Sequence, residues 1–178
     1  MSVGNWWYSP NNIFEMSSFE IAKRLEKSDV ISIPVGSCEQ HGPAIPINCD
    51  SLAAWVTVKL ASEITRTLHS PLVWCGYSPQ HMRPPGRGAG TITLRSDTFK
   101  NLLYDIGRSL IHHGFNKIIY VTGHTSNIKI IDPVLRIIRY ETGAFTSLFR
   151  ADAEVLPRIK DIRERILKAP PDDNPGWH

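Results

Sequence analysis

Cysteine is scarce: Cys38, Cys49 and Cys75 are the only three in 178 residues, and no two stand in a CxxC spacing. An odd, scattered set argues against a disulfide framework and for a reducing compartment. A charge excess is also missing, since 20 Lys and Arg against 17 Asp and Glu leave a formal net charge of +3. That is too little over this length to mark a nucleic-acid or anionic-membrane binder. The N-terminus, MSVGNWWYSPNN, lacks a basic stretch followed by an apolar run, so it does not read as a signal peptide. No apolar run approaches the roughly 20 residues of a membrane span. The expectation is a soluble cytoplasmic protein with a small-molecule substrate, and neither nucleic acid nor membrane as partner.

What is present is the composition of a globular domain, 42% hydrophobic and 21% charged, with no repeat and no linker. Ser17 and Glu20 have capping-box spacing, and Phe19, Ala22 and Leu25 recur behind them, which predicts a helix over 17–28. VISIPVGS (30–37) reads as a buried strand. Asp50 stands where an N-cap belongs, and Leu52, Val56, Leu60 and Ile64 follow at i+4 steps to about residue 68.

PLVWCGY (71–77) reads as a second strand, followed by a polar loop and the short extended piece TITL. Ser96 or Asp97 opens a helix with Leu103, Ile106, Leu110 and Ile111, stopped by Gly114. KIIYVTG is a third strand, residues 126–140 a helix containing Pro133, AFTSLF a fourth strand and 155–168 a last helix. Regular alternation predicts an α/β fold, a mostly parallel sheet with helices on both faces. Reactive groups then gather at the carboxyl ends of the strands.

Two strand ends carry chemistry. Glu39, His41 and Asp50 in the loop after the first strand supply oxygen and imidazole donors, the mixture that holds Zn2+ or Mn2+. Gly42, Pro43 and Pro46 can fold that loop so that the three converge. The bland alternative, a capping Asp50 with solvated Glu39 and His41, stays open on composition alone. The second strand end is TGHTSN (122–127), which places His124 on the same sheet edge. A lone histidine there is more often structural than a ligand, but the two loops together shift the balance towards a site. His112-His113 read as a solvated helix end, Asp152 and Glu154 as a surface acidic pair, and Cys38 has no base to make it a nucleophile.

PVGSCEQHGPAIPINCD (34–50) resembles the signature of the creatininase (creatinine amidohydrolase) family, typically PVGSxEQHGPHLPLxTD. GYSPQHM with the later GTITL, the TGHTSN turn and the terminal GWH resemble further motifs of that family, in the same order along the chain. The resemblance implies a three-layer α/β/α sandwich, here a single creatininase-like domain over 1–178 that is incomplete at its C-terminal end. It also implies a two-metal site, with Asp50 bridging, Glu39 and His124 on one ion and His41 on the other. A carboxylate between two dications keeps them close enough to activate one water. His178 matches the histidine of the WHAGE motif and is the expected catalytic residue, serving substrate and proton transfer.

Four departures stand out: Ala44 for a usual His, Cys49 for a usual Thr, a basic loop bearing Arg83 and Arg87, and Ser126 where one branch has a metal-binding Glu. With Ser126 there and the sequence ending before the WHAGE glutamate, the second ion would hold only His41 and a share of Asp50, so one tight and one weak or absent ion are expected, the cofactors being Zn2+ and/or Mn2+. Cleavage of a non-peptide C–N bond in a small, often cyclic, amide is the implied activity. Hydrolytic ring opening of a cyclic ketone such as an oxidised inositol is the alternative, and an inactive truncated scaffold a third. The resemblance further implies a homo-oligomer, a hexamer; the aromatic cluster Trp6, Trp7 and Tyr8 is expected on the core or on a neighbouring subunit.

Overall fold

Ser17 opens helix α1 (Ser18–Leu25) with the capping box that its spacing predicts: its side chain accepts from the Glu20 N–H, and the Glu20 carboxylate accepts from the Ser17 N–H at 2.8 Å. This chain is seen in a computed structural model that describes residues 7–82, 84 and 89–151. The expected helix over 155–168, Trp6, Arg83, Arg87, Asp152, Glu154 and His178 lie outside the described residues. The elements after α1 are β1 (Val30–Val35), α2 (Cys49–Thr65), β2 (Leu68–His69), α3 (Ser96–His112), β3 (Lys117–Thr122), α4 (Ile128–Thr142) and β4 (Phe145–Arg150). The strands form one parallel sheet in the order β2-β1-β3-β4.

Side chains alternate across each strand, so Ile31, Ile33 and Val35 of β1 and Ile118 and Tyr120 of β3 share one face. That face packs on Phe99, Leu103 and Leu110 of α3 and on Ile131, Val134, Leu135 and Ile138 of α4. The opposite face, with Ile119 and Val121, packs on Ala53 and Val58 of α2. The result is the expected α/β/α sandwich. Gly114 and Gly143, at φ 106° and 72°, take the left-handed conformation that ends α3 and α4. Among the described residues no helix is long and apolar enough to cross a membrane.

Three expectations are corrected. The second strand is Leu68–His69 rather than 71–77, because Pro71 has no N–H to donate and the chain carries one residue more than β1 between His69 and Val73. Ladder bonds nonetheless persist through Ser70 N to Ser32 O (2.9 Å), Val73 N to Pro34 O (2.9 Å) and Gly36 N to Val73 O (2.8 Å). In α1 the core contacts come from Ile21 and Leu25, while Phe19 is 87% exposed.

The third correction concerns α2. Its i+4 apolar row, Val56, Leu60 and Ile64, faces outward, and the buried row is Ser51, Ala54, Trp55, Val58 and Ser62. The rotation is set at the helix's first turn. Ser51 Oγ lies 2.9 Å from the Ser37 carbonyl and 3.0 Å from that of Trp74, donating between them. Gly123 brings β3's end so close that a Cβ there would lie 2.1 Å from the Asp50 carbonyl oxygen. Backbone contact at the helix start outweighs the apolar row behind it.

Candidate metal centre

Because β1 and β3 are neighbours in register, Val35 beside Thr122, the loops leaving them start side by side. The chain goes from β1 to β2 on one side and reaches β3 on the other, which opens a crevice at the carboxyl ends of the strands. Glu39 and His41 enter it from the loop after β1, Asp50 from the first turn of α2, and His124 from the turn after β3. Asn127 ties these segments together. Its side chain donates to the Gly36 carbonyl at 2.9 Å and accepts from the Tyr77 N–H at 3.0 Å.

All four expected ligands converge. His124 Nδ1 lies 3.1 Å from Glu39 Oε2 and 3.0 Å from Asp50 Oδ2. On the other side of the same carboxylate, Asp50 Oδ1 lies 3.6 Å from His41 Nε2. Glu39, His124 and Asp50 are 2%, 6% and 7% exposed, and Glu39 Oε2 and Asp50 Oδ2 have no hydrogen-bond partner. Two buried carboxylate oxygens without donors carry a desolvation penalty of several kcal/mol unless a cation joins them. Asp50 is not the N-cap, as its spacing suggested. Asn48 holds that place, and Asp50 stands one residue inside the helix, where its carboxylate turns to the histidines instead of to backbone N–H groups.

Each histidine is set to present a lone pair to Asp50. A carbonyl oxygen only accepts, so the 3.2 Å contact of His124 Nε2 with Tyr77 O places a proton on Nε2 and frees Nδ1. Ser78 Oγ, 3.0 Å from Nε2, accepts from the same N–H and is held in turn by Ser37 Oγ at 2.6 Å. His41 is the mirror case, its Nδ1 donating to the Glu39 carbonyl at 3.0 Å and leaving Nε2 towards Asp50. Burial opposes a charged His124 ring, but the Asp50 and Glu39 carboxylates outweigh it and hold its pKa above the ordinary value. The crevice draws a positive charge to Nδ1.

Donor chemistry and spacing both fit a divalent cation. Glu39, Asp50 and His124 each offer an atom within 4.8 Å of the others, as do His41, Cys49 and Asp50. Oxygen and imidazole donors suit Zn2+ and Mn2+. The residue reading missed His81, whose Nε2 lies 3.1 Å from Glu39 Oε1 and fixes the second carboxylate oxygen, and it gave Ser78 and Asn127 no role. Their signal lies in GYSPQHM and TGHTSN, where the residue reading gives a role to His124 alone. Cys49 joins the site from the residue before Asp50; burial, then Asp50, push its thiol up to about 12. Cys38 is instead buried beside the antiparallel bridge to Ile92.

Residues 14–178 match the creatininase family, described as creatinine amidohydrolase. A creatinine amidohydrolase of Pseudomonas putida is 32% identical over 132 residues, 71% of this chain and 51% of that protein. A 3-dehydro-scyllo-inosose hydrolase of Thermotoga maritima is 33% identical over 65% of this chain and 36% of its own. A mycofactocin precursor peptide peptidase of Mycobacterium tuberculosis is 30% identical over 71% and 53%. The chain thus spans about half the length, or less, of these relatives. The solved structure of a creatininase described as the Mn form superposes with a TM-score of 0.73 and 26% identity, covering 91% of this chain and 65% of that one.

Proposed function

The chain belongs to the creatininase family, and from that premise we propose that it is a metal-dependent hydrolase cleaving a non-peptide C–N bond in a small or cyclic amide. The observation that carries the reading is the convergence of Glu39 Oε2, Asp50 Oδ2 and His124 Nδ1, two of them buried oxygens without a hydrogen bond. When bound there, a divalent cation supplies charge that polarises a carbonyl and makes a water more acidic. Glu39, Asp50 and His124 would hold one ion; His41 and the other Asp50 oxygen face the place of a second.

The rest of the work falls to the chain's own groups. Tyr77 O and Ser78 Oγ keep the proton of His124 on Nε2, so that Nδ1 remains a donor of its lone pair. His81 holds Glu39 Oε1, which orients Oε2 towards His124. Such hydrogen-bond partners of ligands commonly govern metal affinity by 10–100-fold, on the order of what the ligand geometry is worth. The proton for the leaving nitrogen is assigned to His178, on its motif match alone.

A second reading is favoured by the 33% identity to the inosose hydrolase. Water would add to a ring ketone, the adjacent C–C bond would break, and the departing carbon would take up a proton. One experiment separates the readings: the full chain, loaded with Zn2+ or Mn2+, assayed in parallel on small cyclic amides and on inosose-type ketones. Amide turnover that chelation abolishes supports the first reading. Turnover of ketones alone supports the second, and metal binding without turnover of either supports a non-catalytic scaffold.

A further inference from the structure

The face of Asp50 that turns away from His124 carries a sulfur donor, with Glu39 Oε1 at its edge, 3.9 Å from His41 Nε2. Asp50 Oδ1 lies 3.6 Å from His41 Nε2 and 3.7 Å from Cys49 Sγ, and Sγ lies 3.9 Å from Nε2. Three chemically different donors thus form a small triangle. For a tetrahedral zinc with bonds of about 2.0–2.1 Å to nitrogen or oxygen and about 2.3 Å to sulfur, such edges measure roughly 3.3–3.6 Å. The observed triangle is a few tenths of an ångström larger, within the movement of a side-chain torsion.

Its donors are prepared separately. The His41 ring already has its proton on Nδ1, committed to the Glu39 carbonyl, so Nε2 offers a lone pair. Asp50 is 7% exposed, and the oxygen it turns to this side, Oδ1, already accepts from the Cys49 thiol. Cys49 and Asp50 are the first two residues of α2, where a helix leaves its backbone N–H groups free. Neighbouring residues in mid-helix point about 100° apart, but here both side chains reach the loop that carries His41.

We propose that His41, Cys49 and Asp50 hold the second divalent cation, with the Cys49 thiolate as a ligand, and that this site takes Zn2+ in preference to Mn2+. The proposal rests on the reading of Glu39, Asp50 and His124 as the first metal site. Binding replaces the S–H bond by a metal–sulfur bond and releases the proton to solvent. Sulfur favours zinc over manganese because a soft, polarisable donor matches the borderline-soft ion better than the hard one. The two sites then differ in kind: the His124 side is oxygen-rich and open to either ion, and the His41 side selects one. The second ion is not left with two protein ligands.

Cobalt(II) reports both sites by colour. The full chain, titrated with Co2+ under reducing conditions, should bind two ions, one of them with a near-ultraviolet sulfur-to-cobalt charge-transfer band. Cys49→Ser and Cys49→Thr should each abolish the band and one equivalent, while Cys75→Ser leaves both. Added Mn2+ should displace only the cobalt that lacks the band. Bound cobalt without the band in the unaltered chain, or a band that survives both Cys49 variants, would overturn the thiolate while leaving the first site and the hydrolase reading intact. Absence of any bound cobalt would overturn that reading as well.

Discussion

His124 reaches Asp50 from the end of a sheet strand, whereas His41 reaches it from a loop. The strand end is held on every side: the His124 ring by Tyr77 O and Ser78 Oγ, its backbone N–H by Thr122 Oγ1 at 3.2 Å, and the turn behind it by Asn127. The loop is held at its start and runs exposed beyond it: Cys38 O accepts from Ile92 N at 3.0 Å, and Ser37 Oγ and Ser78 Oγ lie 2.6 Å apart. Glu39 N donates to Ile47 O at 2.9 Å, Gln40 N to Thr91 Oγ1 at 3.0 Å, and residues 43–48 between are exposed. Donor spacing follows the same division, 3.0–3.1 Å on the His124 side and 3.6–3.9 Å on the His41 side. A site built on a strand is preorganised by the core, while one built on a loop must be drawn together by its ligand. The two halves share Asp50, and Glu39 Oε1 also comes within 3.9 Å of His41 Nε2.

That shared carboxylate is where the comparison breaks most completely. Asp50→Ala should release metal from both halves and lower turnover on the order of 1,000-fold or more, as loss of a group on which a whole constellation depends. Metal content by mass spectrometry checks it; retention of either ion at stoichiometric amount would show that half to be complete without Asp50. The single-sided changes come next. His124→Ala should remove the more tightly held ion and weaken binding beyond the 10–100-fold typical of losing a ligand's hydrogen-bond partner. His41→Ala should spare that ion and remove the other. Equilibrium dialysis of the two variants against one metal buffer gives the answer, and loss of the same ion in both would end the division.

The strand half was also the more legible in the sequence. β-branched runs ending in Gly mark β1 and β3, and once both are parallel neighbours His124 must share an edge with Glu39. α3 announced its core face through Leu103 and Leu110, both of which lie in the core. Helix α2 did not, because its orientation is decided by two backbone contacts, Gly123 and Ser51, which no apolar periodicity records. For a related reason the N-cap is Asn48, two positions before the Asp50 that the spacing indicates: Asp is the residue type of a cap, yet its carboxylate finds the histidines instead. His81 is 42 positions from Glu39, and only the fold makes them neighbours. Cys49 was visible as a departure, but its contact with His41 depends on how the seven residues between them close.

Gly123 joins the two halves mechanically. It permits the close approach of β3's end to α2 through its missing Cβ, which would meet the Asp50 carbonyl oxygen at 2.1 Å and the Ala54 nitrogen at 3.0 Å. Gly123→Ala must push the helix start away, and overpacking of this kind costs about 1–3 kcal/mol. Urea unfolding should show a lower midpoint at unchanged slope. Since Asp50 moves with the helix, both ions should bind more weakly, and by similar factors. A stability loss with unchanged metal binding would mean that Asp50 adjusts independently of the backbone beneath it.

The smallest expected effect lies at one of the loop's anchors. Thr91 Oγ1 accepts the Gln40 N–H and donates to the His81 carbonyl at 3.1 Å. Thr91→Val keeps the shape and removes the hydroxyl, so a part-buried N–H loses its partner at a cost of about 1 kcal/mol. Gln40 lies between Glu39 and His41, so the loss falls on the loop side of the site. If the loop half is held as loosely as its geometry indicates, the second ion should bind a few-fold more weakly, within the tenfold that 1.4 kcal/mol represents. The ion between Glu39, Asp50 and His124 should be unaffected, because His124 keeps all its partners and Glu39 N keeps Ile47 O. Competition of each ion with a coloured chelator measures the two constants separately. Equal weakening of both would show that the loop positions Glu39 as well as His41, through the His81 backbone that Thr91 also holds, and the boundary between the halves would then run between Glu39 and His124 rather than through Asp50.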